Sequence, residues 1–411
     1  MARIKKKQLE FLDWEFGAFF HFGIRTFYEG HKDWDMQEMS PERFCPEELD
    51  CEQWISNIKE AGAKYAILVC KHHDGFANWP SAYTEYSVKN TPWKNGTGDV
   101  VREFTDACHK YGVKVGLYYS PAQFGSDTVE DYDDYFINQI SELLTGYGTI
   151  DYLWFDGCGS ENHQYDTERI VKEIRRLQPE ILIFNMWDPD VRWVGNEAGL
   201  APMPNPGFVS ALDFSVLTQE QTKMEETRFL PAECDCRIRF SNWFYSDSDE
   251  HTVKSVEELM GLYYYSVGRG ANLLLNIAPD RRGLLPEKDC MALSEFGREI
   301  WKLYANRLVS LSEAKRRENT YSFTWDTPAL VDHVILEECM EQGEAVEEFS
   351  IFVYPHPSGK PVFVYKGYTV GHKHICKFPP VSTARLEIVI EKETRPHRLR
   401  DIGVYFPSKL L

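Results

Sequence analysis

The chain has 411 residues, 45 Lys+Arg against 64 Asp+Glu, and a formal net charge of −19, with 43% hydrophobic and 27% charged residues. That length accommodates two domains, or one large barrel with an appendage. The acidic balance repels phosphate backbones and anionic membranes, which excludes nucleic acid and membrane as main partners, and no apolar run approaches the roughly 18 residues of a membrane span.

The basic start, MARIKKKQLEFLDWEFG, is followed by no apolar segment of signal-peptide type, so a cytoplasmic protein is expected, with a trimmed secreted form left open. Gly17 to Phe22 then reads as a short strand, Cys51 to Ala63 as a helix, and Tyr65 to Cys70 as a strand buried on both faces. Asp99 caps a helix running to His109, and Val113 to Tyr119 is the next strand. A helix near 130–145, the strand Ile150–Phe155, a helix near 166–177 and the strand Ile181–Asn185 follow. Phe229 to Glu233, a helix near 253–267, Ala271 to Ile277 and a helix after Pro286 complete seven or eight β-then-α units. The pattern predicts a (β/α)8-type barrel over residues 1–310. Beyond it, the short β-rich runs at 331–336, 349–354, 362–365, 386–390 and 402–406 predict a C-terminal antiparallel β-sandwich over 311–411.

The ten cysteines are scattered without a C-x-x-C pair and read as reduced and mostly buried. No G-x-G-x-x-G or P-loop pattern is present, so no nucleotide cofactor is expected.

Polar residues crowd the strand ends, where barrel active sites form. His21 ends the first strand, Lys71-His72-His73-Asp74-Gly75-Phe76 the second, Tyr118 and Tyr119 the third, Asp156-Gly157 the fourth, and Asn185, Trp187 and Asp188 the fifth. Glu233 and Asp235 are read as ending a later strand. Asp156 emerges from an apolar strand, so its charge must be paired or functional. His72 and His73 are adjacent and, in a regular pleat, face opposite ways, which argues against a shared metal. A metal-dependent hydrolase built on His21, His72 and Asp74, and a glycan-binding lectin, stand as the rival readings. Two carboxylates in an aromatic-lined pocket suit glycoside hydrolysis.

The motifs FFHFG (19–23), KHHDGF (71–76), GLYYSP (116–121), WFDG (154–157) and NLLLNIAPDRRGLLP (272–286) resemble the α-L-fucosidases of glycoside hydrolase family 29. GHKHICKFPPV (371–381) and DIGVY (401–405) are similar to that family's C-terminal β-sandwich. VRWVGNEAG (191–199) and PAECDCRIR (231–239) resemble the subgroup acting on branched α-1,3/1,4-linked fucose. The resemblance implies a retaining exo-α-L-fucosidase with Asp156 as nucleophile, Glu197 as acid/base and Glu233 as the alternative acid/base of a broad-specificity enzyme. It implies substrate binding by His21, Trp34, His72, His73, Tyr119, Arg239 and Trp243, with no metal and no cofactor. The partner it implies is a fucosylated oligosaccharide or glycoconjugate. Arg192 and Trp193, beside Glu197, are expected to contact a neighbouring sugar.

Overall fold

Strands made entirely of apolar residues need cover on both faces, and a barrel ringed by helices supplies it. The computed structural model describes residues 3–30, 38–122, 131–160, 163–213, 215–216, 221–356 and 358–406. Helix α1 (Lys6–Leu12) precedes β1 (Phe16–Phe20), α2 (Cys51–Glu60), β2 (Tyr65–Lys71), α3 (Val100–Tyr111), β3 (Lys114–Tyr119), α4 (Tyr132–Gly146), β4 (Tyr152–Phe155), α5 (Thr167–Leu177) and β5 (Leu182–Phe184). Asp50, Asp99 and Asp166 cap α2, α3 and α5 by accepting backbone N–H groups of the first turn.

The alternation then lapses. The short β6 (Arg192–Trp193) and a hairpin of β7 (Phe208–Asp213) and β8 (Gln221–Phe229) come before β9 (Ala232–Arg237), α6 (Val256–Tyr265), β10 (Asn272–Asn276) and α7 (Glu287–Ala305). Among the described residues no helix follows β5 or β6. Prolines at 189, 202, 204 and 206 punctuate that stretch and oppose a helix there. The parallel strands run in the order β5-β4-β3-β2-β1-β10-β9-β6, and a bridge between Phe184 and Val191 brings the two edges together. The strand expected at 229–233 is in fact the end of β8 and the start of β9, divided at Pro231, whose missing N–H breaks a ladder.

Alternate residues of the barrel strands meet inside. Phe19, Tyr65, Tyr118, Tyr152, Trp154, Phe184, Trp193 and Leu274 form one buried cluster. Phe11 of α1 and Trp14 beyond it close the barrel's lower end. Their rings lie 5.5 Å from Tyr152 and 5.4 Å from Tyr65 respectively.

The remaining strands, β11 (Arg307–Ser310), β12 (Lys315–Arg317), β13 (Thr320–Glu338), β14 (Val346–Tyr354), β15 (Val362–Tyr368), β16 (His374–Glu393) and β17 (Leu399–Tyr405), build one seven-stranded antiparallel sheet with its own apolar core. Where short strands are expected, β13 and β16 run for 19 and 20 residues. The breaks at Asp326-Thr327-Pro328 and Pro379-Pro380 are absorbed as register shifts rather than turns. Ile335, Ile375 and Tyr405 of this sheet pack into the barrel's outer core.

Candidate active site

The inward parity of each strand carries through to the mouth. On β4, Tyr152 and Trp154 point in, and Asp156 continues the alternation just beyond the strand. On β3 the inward residue is Tyr118, which pairs with and stacks on Trp154 at 5.4 Å. Tyr118 donates its hydroxyl to Asp156 Oδ2 at 2.9 Å, and the Cys158 N–H donates to Oδ1 at 2.9 Å. His73 Nε2 stands 3.5 Å from Oδ2, and 28% of the Asp156 side chain remains open to an incoming ligand.

Burial alone would raise the Asp156 pKa, but the His73 charge and these donors outweigh it and hold the carboxyl below its usual range. Burial alone would lower His73, but the Asp156 charge lifts it to about 9. His73 Nδ1 donates to Ser120 Oγ at 2.6 Å, since the Ser120 hydroxyl is itself committed to the Ala122 carbonyl. The pair is therefore a carboxylate against an imidazolium at neutral pH.

β2 ends with a register shift between Val69 and Lys71, so the next two residues leave the pleat. His72 and His73 consequently both face the mouth, with rings 4.3 Å apart. His72 stacks on Tyr118 at 5.4 Å, is kept neutral by burial, and its Nδ1 has no hydrogen-bond partner among the described residues. Ligand atoms of His72, His73 and Asp156 all lie within 4.8 Å of one another, a spacing that a cation could bridge. His21 Nδ1 donates to Asn276 Oδ1 at 2.8 Å, the amide being oriented by its own donation to the Trp243 carbonyl. Burial drives the His21 pKa down to about 3, which leaves Nε2 a neutral acceptor suited to a hydroxyl. Trp243 lies 5.0 Å from the His21 ring, and the Arg237 guanidinium sits 4.9 Å over Trp243.

Four expectations are corrected. Tyr119 does not face the site: adjacent strand residues alternate, and its hydroxyl donates outward to Gln139 on α4 while Lys71 Nζ caps its ring at 4.4 Å. Arg239 lies beyond the end of β9 and is held in a buried ion pair with Asp289 and Asp249. The inward-facing arginine at the rim is Arg237, which pairs with Asn276 across the sheet. Arg192 donates to Asn205 and the Pro206 carbonyl, and Trp193 donates to Asp235 at 2.6 Å, so both are buried and turned away from any second sugar. Glu233, at the start of β9 rather than its end, is fully buried below the mouth. It accepts from Tyr65 (2.7 Å), Trp154 (2.9 Å) and Tyr152 (3.1 Å), and burial pushes its pKa up to about 7. Trp34 lies outside the described residues.

Glu197 sits on the rim loop after β6, half-buried, with φ +49°. Positive φ at Gly195 and Gly199 shapes this loop, and a Cβ on Gly199 would come within 2.8 Å of Cys236 Sγ. Asn196 braces the loop from Ala198 N and to Leu200 O. Burial foremost, and next the Glu197 charge, push the Asp235 pKa up to about 8. Tyr118 was expected at the end of the third strand; Ser120, Arg237 and Asn276 were not singled out from sequence. Inward parity with Trp154 and His21 is the signal that would have found them.

An ionised carboxylate beside neutral and charged imidazoles, in an aromatic mouth at the C-terminal end of a parallel barrel, places the molecule among the barrel glycoside hydrolases. The sequence profile of the family described as Alpha-L-fucosidase matches residues 2–302. Alpha-L-fucosidase 1 of Arabidopsis thaliana is 32% identical to the chain, over 96% of it and 86% of its own length. A glycoside hydrolase 29 family member from an unknown rumen bacterium superimposes with a TM-score of 0.89 at 32% identity, covering 100% of this chain and 78% of its own. A Ruminococcus gnavus glycoside hydrolase 29 fucosidase, solved in complex with fucose, shares the fold at a TM-score of 0.85 and 24% identity, over 99% of this chain and 95% of its own. The chain belongs to the α-L-fucosidase family of glycoside hydrolases.

Proposed function

We propose that the enzyme is a retaining exo-α-L-fucosidase that releases terminal α-1,3/1,4-linked L-fucose from branched, Lewis-type oligosaccharides, with Asp156 as nucleophile and Glu197 as acid/base. Asp156 attacks the anomeric carbon while Glu197 gives its proton to the departing glycosidic oxygen. Water then opens the fucosyl–Asp156 ester as Glu197 takes a proton back. The observation that carries this reading is the state of Asp156: ionised, partly open, and oriented by Tyr118, the Cys158 N–H and His73. A nucleophile must be charged before the sugar arrives, and a carboxylate with its pKa held down is charged throughout the neutral range.

His21 Nε2 accepts from a fucose hydroxyl, His72 Nδ1, without a partner among the described residues, bonds to another, and Trp243 offers an apolar face to the C6 methyl group. Glu197 is preferred to Glu233 because Glu233 is enclosed by three donors beneath the mouth. The preference for branched substrates rests on the resemblance of the VRWVGNEAG and PAECDCRIR segments. A 2-fluoro-fucosyl probe tests the core assignment: the label is expected on Asp156, and a label on another carboxylate would overturn it. Relative turnover of a Lewis-type trisaccharide and 2′-fucosyllactose tests the linkage, and equal rates would move the enzyme to the broad-specificity reading.

A further inference from the structure

Three side chains at the ends of β2 and β4 converge on one point. One donor atom from each of His72, His73 and Asp156 lies within 4.8 Å of the other two. The edge from His73 Nε2 to Asp156 Oδ2 measures 3.5 Å. Two tetrahedral ligands on zinc, at bond lengths of about 2.0–2.2 Å, stand roughly 3.4 Å apart, so this edge already has the length of two ligands on one ion. A regular pleat would send the two histidines to opposite faces, and the register shift between Val69 and Lys71 is what brings both to the mouth.

The supporting contacts are those of a ligand set. Histidines that bind a metal donate their other ring N–H to an oxygen, and carboxylates that bind one are hydrogen-bonded in turn. His73 Nδ1 donates to Ser120 Oγ at 2.6 Å. Asp156 accepts from the Tyr118 hydroxyl and the Cys158 N–H, each at 2.9 Å. His72 is neutral, and its buried Nδ1 has no partner among the described residues, an uncommon state for a buried polar atom that a ligand-binding role explains. Two imidazoles with one carboxylate select a divalent transition ion such as Zn²⁺ over Mg²⁺ or Ca²⁺, which take oxygen donors. Three protein ligands leave a fourth position to water.

We propose that His72, His73 and Asp156 form a reversible inhibitory site for a divalent transition ion of the Zn²⁺ kind. The ion takes the place of the proton on His73 Nε2, which leaves to solvent, and engages the Asp156 carboxylate and a His72 ring nitrogen. Asp156 is then unable to attack a sugar, and His72 is unable to bond a hydroxyl. The ion is an antagonist of turnover, and the metal-free protein is the active form. Binding of the ion stands independently of the fucosidase reading, and its inhibitory effect rests on that reading.

The test is calorimetric titration of Zn²⁺ into the metal-free full chain, as wild type, His72→Ala, Asp156→Asn and His21→Ala, beside kinetics on an aryl fucoside. Removing only a residue that hydrogen-bonds a metal ligand costs about 10–100-fold in affinity, so His72→Ala and Asp156→Asn should each weaken the wild-type site by at least about 10-fold. His21→Ala removes a neighbouring imidazole outside the set and should bind as wild type does. In wild type, Zn²⁺ should raise KM with kcat unchanged, and a chelator should restore the original rate.

No Zn²⁺ site in wild type, or undiminished affinity in a folded His72→Ala or Asp156→Asn, overturns the proposal. An equal loss in His21→Ala overturns it too, because the effect would then not follow the three ligands. If one of the two ligand variants fails to fold, the other decides. Zn²⁺ bound through these residues with KM unmoved overturns the inhibitory role. A wild type that cleaves no fucoside overturns the fucosidase reading instead, and the calorimetry still judges the ion site.

Discussion

His73 Nε2 stands 3.5 Å from Asp156 Oδ2, and each group moves the other's proton affinity the opposite way. His73 rises to about 9 and Asp156 falls below its ordinary value. Between those limits the nucleophile is charged and its partner protonated. The expected pH profile of kcat/KM therefore loses activity as pH climbs through about 9. In His73→Ala the burial of Asp156 is no longer opposed by a positive charge, so the acid limb should move to higher pH. A His73→Ala profile whose acid limb superimposes on wild type would contradict the coupling.

Asp156→Ala should fold normally and lose turnover to background. Added azide then attacks from the face the carboxylate vacated, and the expected product is the inverted β-fucosyl azide. NMR of that product distinguishes a nucleophile from a residue that only binds sugar.

For Glu197→Ala, the loss on natural oligosaccharides should be about 10²–10⁴-fold, the usual contribution of general acid–base catalysis. Aryl fucosides with good leaving groups need little proton donation and should lose far less. If Glu233→Ala shows this leaving-group dependence and Glu197→Ala does not, the assignments are exchanged.

Glu233 yields a stability prediction. Its folded pKa of about 7 is above the ordinary 4.5. Between those values the folded state holds a proton that the unfolded chain has released, so this group's contribution to stability falls as pH rises from 4.5 to 7 and levels off above. Glu233→Gln removes that slope. The difference in Tm between wild type and Glu233→Gln should shift against wild type across this window, and a pH-independent difference would mean that the carboxyl titrates normally.

Chelators should leave activity intact. His72, His73 and Asp156 are close enough to share an ion, so the measurement is decisive: a stoichiometric metal whose removal abolishes turnover would replace the double-displacement mechanism with a metal-dependent one.

Much of this is legible in the sequence, because the physics is local. β2 and β4 are continuous apolar runs, and a strand buried on both faces has no other appearance. Asp156 was conspicuous as a charge following such a run. The errors arose where a residue's direction depends on a neighbour distant in sequence. Tyr118 and Tyr119 are equivalent as letters, and only the pairing of Tyr118 with Trp154 decides which enters the barrel. Arg237 and Arg239 share a parity, but β9 ends between them, and Arg239 is captured by Asp289 on α7, fifty residues away. Glu233 looked terminal because Phe229 and Leu230 precede it. The break at Pro231 makes it the beginning of the next strand. His72 and His73 share a face only because β2 slips register before them.

The aromatic plug formed by Phe11 and Trp14 against Tyr65 and Tyr152 has a consequence for traffic. Among the described residues the lower end is stopped, so whatever enters at the mouth must back out the way it came. A glycan cannot be threaded through and trimmed in succession, so each turnover needs a fresh encounter with a chain terminus. The freed monosaccharide, seated deepest, must wait until the larger fragment has cleared the entrance. Departure is then ordered, fucose last, and accumulated fucose should compete with incoming substrate for the same seat.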